Sequence, residues 1–301
     1  MGKVQTSAGI GAIKGKVGGM TFYIRNGQQE MQPSKRSSYN DKRSPEQMTA
    51  RIKTGNVLNL YRLIKGFLDD CFEGVIGGKT KNSFFRKYNY VLRPVMLERR
   101  QSGVWQCVLA PYIVSNGKIP EIEYEYKEGM FVSNINIGDL VITDDTEIGD
   151  IASATIKNNE FWQNEDCLKI MLLRQKMSDD IRELYMPTST AVNLSLEKYS
   201  RKRLGDAELL DTEYKGQRIE FCNKDGYLAV KAQGDYVFAC AFIHSRDTKQ
   251  TLSVSTQKLC LSNTTLYDYY TGEEATIASW TSYKTCGYRN NPKDKVYLQG
   301  K

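Results

Sequence analysis

The stretch Asp235–His244, DYVFACAFIH, is apolar on both of its alternating faces. Side chains of a strand point to opposite faces in turn, so a run with no polar face reads as a central strand covered on both sides. Around it, RIEFCN (218–223), GYLAVKA (226–232), TLSVSTQKLCL (251–261) and ASWTSYK (278–284) are short strand candidates of the same style. Together they predict a β-sandwich over residues 201–301. His244 is the one histidine in the chain and stands beside Ser245 and ahead of Asp247. Neighbours in a strand face opposite ways, so this adjacency is no catalytic triad, and His244 reads as structural or exposed. Without a second histidine, common hydrolase and zinc chemistries have little to work with, and carboxylate chemistry finds no supporting motif.

An earlier strand series precedes it. WQCVLAPYIV (105–114), IEYEYK (122–127), MFVSNINI (130–137), DLVITDD (139–145), IASATI (151–156) and CLKIMLL (167–173) are separated by Gly, Asn and Asp. They predict a first sandwich over residues 103–200. The acidic run Asp144, Asp145, Glu147 and Asp150 lacks the ligand spacing and turn glycine of an EF-hand loop, so it reads as a solvated turn.

Ahead of both series, RSPEQMTARIKTGNVLNLYRLIKGFLDDCF (43–72) carries the best-punctuated helix signal. Ser44 can cap the first free amides, Pro45 suits the first helical position and Gln47 can close a capping box. Ile52, Leu60, Leu63, Ile64, Phe67 and Cys71 fall on one face, with Arg51, Arg62, Lys65 and Asp69 opposite. Gly55 and Asn56 are weak helix formers and mark a place to bend. After Gly74, Gly77 and Gly78, TKNSFFRKYNYVLR (80–93) predicts a shorter helix ending before Pro94, with Phe84, Phe85, Tyr88 and Leu92 to cover the first. Residues 41–102 are thus a helical region. Upstream, Asn26-Gly27 predicts a hairpin over Thr21–Met31. Residues 1–20 are Gly-rich and basic and match neither a Walker loop nor a dinucleotide fingerprint, so residues 1–40 read as a basic arm with a hairpin.

Composition adds limits. A chain of 301 residues is long enough for two or three domains, and it contains no apolar run of membrane-spanning length or secretory leader. The seven cysteines are widely spaced and never form a CxxC pair, which excludes zinc-ribbon spacing and points to free thiols in a reducing compartment. Residues 1–100 hold 19 Lys and Arg against 7 Asp and Glu, a net of +12, leaving −5 for the rest of a chain of net +7. Such a concentration attracts phosphate backbones or acidic protein surfaces. The partner-binding candidates are therefore Lys3, Lys14, Lys16, Arg25, Lys35, Arg36, Lys42, Arg43, Arg51, Arg62 and Lys65; no catalytic, cofactor or metal residue is assigned.

MGK, GAIKGKVGG, RSPEQMTARIK, KTKNSFFRKYNY, YIVSNGKIP and YVFACAFIHSRDTKQTLSVSTQ, taken in order, resemble an uncharacterised protein family of Bacteroidota and their phages. The resemblance implies an α+β, mainly β chain: an N-terminal helical and hairpin region followed by two Ig-like β-sandwich domains. RSPEQ-type openings recur in phage proteins, which implies a non-enzymatic structural virion protein, part of the capsid, neck or tail of a crAss-like phage. Such a protein is made in the host cytoplasm and has other virion proteins or its own copies as partners, without cofactor or membrane. The alternative is a nucleic-acid-binding accessory protein using the basic N-terminal third.

Overall fold

The structure is a computed structural model that describes residues 2–3, 15–17, 19–25, 28–33, 45–74, 80–89, 107–177, 179, 185–207, 218–248 and 251–272. The chain divides into two units, Met1–Ser44 and Pro45–Lys301.

The first unit is a small antiparallel sheet of β1 (Gly2–Lys3), β2 (Gly15–Val17), β3 (Met20–Arg25) and β4 (Gln28–Pro33), in the order β1-β4-β3-β2. Arg25 pairs with Gln28, so β3 and β4 are joined by a two-residue connection, although Asn26 and Gly27 lie outside the described residues. The register sorts the sheet into two sets of positions. One set of alternate positions pairs Phe22 with Met31 and Met20 with Pro33, and it also holds the buried Gln29. The other set pairs Tyr23 with Glu30 and Thr21 with Gln32, and in backbone register Lys16 falls opposite Thr21, Lys3 opposite Glu30 and Arg25 opposite Gln28.

The second unit is mostly β, with four helices and several antiparallel sheets among the described residues. Helix α1 (Pro45–Ile64) and helix α2 (Thr80–Tyr88) lead to β5 (Ile113–Ser115), β6 (Tyr124–Lys127), β7 (Met130–Asn136) and helix α3 (Ile148–Asn158). Strands β8 (Cys167–Lys176) and β9 (Thr188–Ser195) form a long hairpin, and a 3-10 turn follows at Leu204–Asp206. Then come β10 (Phe221–Lys224), β11 (Tyr227–Lys231), β12 (Tyr236–Thr248), β13 (Thr251–Val254), β14 (Gln257–Lys258), β15 (Cys260–Leu261) and helix α4 (Thr265–Thr271).

Strand β12 is the centre of this unit. It pairs with β8 over Tyr236–Ser245 on one edge and with β13 and β15 on the other, and β9 extends the sheet beyond β8. Both its faces are covered, as its sequence predicts. Val237, Ala239, Ala241 and Ile243 enter a core shared with Leu60, Leu63 and Ile64 of α1 and with Phe85 of α2. Phe238, Cys240 and Phe242 enter a second core shared with Phe131 and Ile135 of β7, Leu228 and Val230 of β11, and Ile151 of α3. The unit is therefore layered, with helices, a five-stranded sheet and the four-stranded sheet β10-β11-β7-β6 in succession. Ala191, Ala239 and Ala241 are small, which lets the helices approach the sheet closely, while Phe238 and Phe242 fill the wider space between the sheets. Each such phenyl ring contributes about 2–3 kcal/mol by leaving water.

Several expectations are corrected. The proposed boundary at residue 200 does not separate two sandwiches: β7 pairs with β11 and β8 with β12, so both sheets draw strands from either side of it. Long-range pairing, which turn spacing cannot reveal, decides this. The helical region 41–102 is likewise no separate body, because α1 and α2 share a core with β8, β9 and β12. Helix α1 ends at Ile64 and not at Phe72; the carbonyls beyond it turn toward the buried Lys169, whose ammonium donates to Phe67 O at 3.2 Å and also to Asp69 O. IASATI is helical: Ile148, Ile151, Ala152 and Thr155 are buried at the i, i+3, i+4, i+7 spacing that a six-residue window hides. DLVITDD forms turns and loop, held by Thr146 Oγ1 on the Thr143 amide. WQCVLAPYIV supplies a strand only at Ile113 and Val114; the described residues before them, Cys107–Tyr112, are irregular. Ser44, the segment 90–106 and the candidate strand 278–284 lie outside the described residues.

Candidate functional site

An irregular backbone segment in a core needs partners for its amides and carbonyls. Cys107, Val108, Leu109 and Ala110 are fully buried, and side chains provide those partners. Asn56 Oδ1 accepts the Val108 amide at 3.1 Å, while Asn56 Nδ2 donates to the Tyr112 hydroxyl. Gln175 Oε1 accepts the Leu109 amide at 3.2 Å, and its Nε2 donates to Cys107 O at 2.8 Å and Tyr185 O at 2.9 Å. Asn89 Oδ1 accepts the Ile113 amide at 2.8 Å and returns a bond to Ile113 O. The helix-breaking Asn56 is thus placed for pairing; α1 runs through it.

The densest charged cluster lies at the end of β12. His244 and Arg246 are two residues apart and share a face. The register Cys167–Ser245 sets Asp166, which leads into β8, opposite Arg246. Arg246 grips the Asp166 carboxylate with both Nε (2.7 Å to Oδ1) and Nη2 (2.8 Å to Oδ2). His244 Nε2 lies 2.8 Å from Asp166 Oδ2, and the Gln163 amide donates to the same oxygen at 2.8 Å. Trp162 stacks on the His244 ring with centroids 3.8 Å apart. Asp166 is 1% exposed and His244 2%. Burial alone raises the carboxyl's pKa, but the bonds from Arg246, His244 and Gln163 outweigh it and lower it to about 2. Asp166 in turn raises the Arg246 pKa. Ser255 Oγ accepts the His244 amide, 3.0 Å away, and not a bond from the ring. Chemically this is a buried ion cluster whose carboxylate oxygens are already engaged; it holds β8 to β12.

The six described cysteines are free thiols. Burial pushes Cys107 up to about 12 and raises Cys71, Cys167, Cys222, Cys240 and Cys260, which leaves little thiolate for nucleophilic work near neutral pH. Cys286 lies outside the described residues. In the acidic run, Asp145 pairs with Arg203 at 3.0 Å and Asp144 with Arg218 at 3.2 Å. Among the described residues no group of three or more His, Cys, Asp or Glu could hold a metal ion, and no helix is long and apolar enough to cross a membrane.

The structure places only part of the basic candidate set. Lys3, Lys16 and Arg25 lie on strands of the first unit's sheet, in register with Glu30, Thr21 and Gln28. Arg51 and Arg62 lie on α1 and Lys65 in the turn after it; Arg62 and Lys65 are exposed. Lys14, Lys35, Arg36, Lys42 and Arg43 lie outside the described residues. Sequence reasoning passed over Asp166 and Arg246, 80 positions apart; only the β8–β12 register joins them. The charged run Lys198–Arg203, four basic residues in six, stands out in the sequence but was not among the partner-binding candidates.

No protein-family profile, no curated protein and no solved structure matches the chain.

Proposed function

We propose that the chain is a non-enzymatic structural protein of a phage virion, part of the capsid, neck or tail, that engages other virion proteins or its own copies through its basic N-terminal region. The observation that carries this reading is the small separate sheet of the first unit, in whose backbone register Lys3, Lys16 and Arg25 alternate with Met20, Phe22 and Met31. A small sheet with both charged and apolar side chains suits docking, where the charges steer and the apolar side chains are covered. The internally satisfied ion cluster at Asp166 and the side-chain-paired segment Cys107–Tyr112 support a scaffolding role for the second unit.

The test is quantitative peptide mass spectrometry of phage particles purified from cultures that express the chain, with the full chain compared against one lacking residues 1–44. A fixed copy number for the full chain, and loss of incorporation for a truncated chain of unchanged circular dichroism, is the expected result. Absence of the full chain from the particles, or normal incorporation of the truncated one, overturns it.

The second reading, a nucleic-acid-binding accessory protein, is favoured by Tyr23, which shares a set of alternate positions with Lys3, Lys16 and Arg25. It expects salt-sensitive binding whose slope falls when Lys16 and Arg25 are neutralised.

A further inference from the structure

Between β9 and the 3-10 turn the chain runs LEKYSRKR, residues 196–203. The backbone of this loop is pinned to α3. Helix α3 has no side-chain cap, and its first amides are taken by the loop instead: Ile148 N donates to Lys202 O at 2.8 Å and Gly149 N to Ser200 O at 3.0 Å. The Lys198 amide donates to Asn164 Oδ1 at 3.0 Å, and the Leu204 amide to Thr146 O at 2.8 Å. Gly149 fits because it has no side chain; a Cβ there would lie 2.6 Å from Ser200 O and 2.9 Å from Lys198 O.

With two of the loop's carbonyls committed to the helix, Lys198, Tyr199, Arg201, Lys202 and Arg203 are all exposed, Tyr199 to 94%. Arg203 pairs with Asp145, and Glu197 accepts a bond from Ser195 Oγ at 3.0 Å. Among the described residues, no side-chain hydrogen bond, ion pair or ring contact involves Lys198, Tyr199, Arg201 or Lys202. One aromatic ring therefore stands in water between three unpaired cations on a fixed backbone.

We propose that the loop Lys198–Lys202 binds single-stranded nucleic acid, with Tyr199 stacked on one base and Lys198, Arg201 and Lys202 on the flanking phosphates. A protein interface is centred on several apolar side chains, whereas the neighbours of Tyr199 in this loop are Lys198, Ser200, Arg201 and Lys202. A base needs only one ring to stack on, and its phosphates need only cations. In a duplex the base faces are already stacked, so the single strand is the better fit. The pinned backbone lowers the ordering cost of binding. This site lies outside the N-terminal unit and stands or falls separately from it.

Fluorescence anisotropy of the full chain with labelled oligothymidylate, titrated with salt, tests the assignment. The variants are Lys198→Gln/Arg201→Gln/Lys202→Gln, Tyr199→Ser, Tyr199→Trp and, for comparison, Lys3→Gln/Lys16→Gln/Arg25→Gln. Neutralising the three loop cations lowers the slope of log K against log salt by about 2, since each phosphate contact on a single strand contributes about 0.7. Tyr199→Ser weakens binding about tenfold with the slope unchanged, and Tyr199→Trp restores it. Any of four results overturns the proposal: no binding by the full chain at about 50 mM salt, an unchanged slope in the loop triple variant, full affinity in Tyr199→Ser, or equal binding to polyglutamate.

Discussion

The Asp166 cluster and the Lys198–Lys202 loop handle charge in opposite ways. In the cluster, one carboxylate accepts two bonds from Arg246, one from His244 and one from the Gln163 amide, all in a core closed by Trp162. In the loop, three cations and a ring face water on a backbone pinned to α3 at Ser200 O and Lys202 O. The difference separates charges that hold the fold from charges left over for something else. Buried partners make the first group indispensable to folding; unpaired exposure makes the second dispensable to it.

Substitutions can break or sharpen that contrast. Asp166→Asn leaves Arg246 beside a neutral amide and costs about 3–5 kcal/mol in urea unfolding; a loss below about 1 kcal/mol would show that the cluster does not hold β8 to β12. Next, Gln175→Ala strips the partner from the Leu109 amide and two carbonyls and costs about 2–3 kcal/mol, with the largest loss of hydrogen-exchange protection expected in Cys107–Tyr112. Acid titration should be milder. Folding lowers the Asp166 carboxyl from 3.8 to about 2, so its contribution is fully present above pH 4 and is lost as pH falls toward 2. That loss amounts to about 2 kcal/mol, and the Asp166→Asn variant should lack this part of the acid limb. Smallest of all, Lys198→Gln/Arg201→Gln/Lys202→Gln should shift stability by no more than about 0.5 kcal/mol either way; a larger drop would mean the loop's cations serve the fold after all.

The same contrast governs what could be read in advance. Strand β12 was legible because its alternation is unbroken from Val237 to Ile243 and both faces are apolar. Strand β9 of the same sheet was not, because Thr188, Ser189, Thr190 and Ala191 carry little apolar bulk although most are buried in the sheet. Helix α3 was misread through a window too narrow to separate a period of 3.6 from one of two. The segment Cys107–Tyr112 looked like a strand because burial on all sides erases periodicity, and the bonds from Asn56, Gln175 and the Leu259 amide show how its backbone is paired. The Asp166 cluster depends on a register between residues far apart, which no local pattern encodes. The loop at Lys198 was plain as a charge run, but its fixed backbone becomes visible only through its bonds to α3.

The placement of β12 also sets an order in time. Strands β8 and β9 leave the ribosome first, and both faces of β8 are rich in apolar residues that β12 later flanks. Some 40 residues separate the end of β9 at Ser195 from the start of β12 at Tyr236, so at roughly 5–20 residues per second the hairpin waits on the order of 2–8 s for its partner. During that interval the β8 edge is an open template for pairing with another chain. Yield during rapid expression should therefore depend on what shields a nascent hairpin, through chaperone supply or slower translation, even when the finished chain is stable.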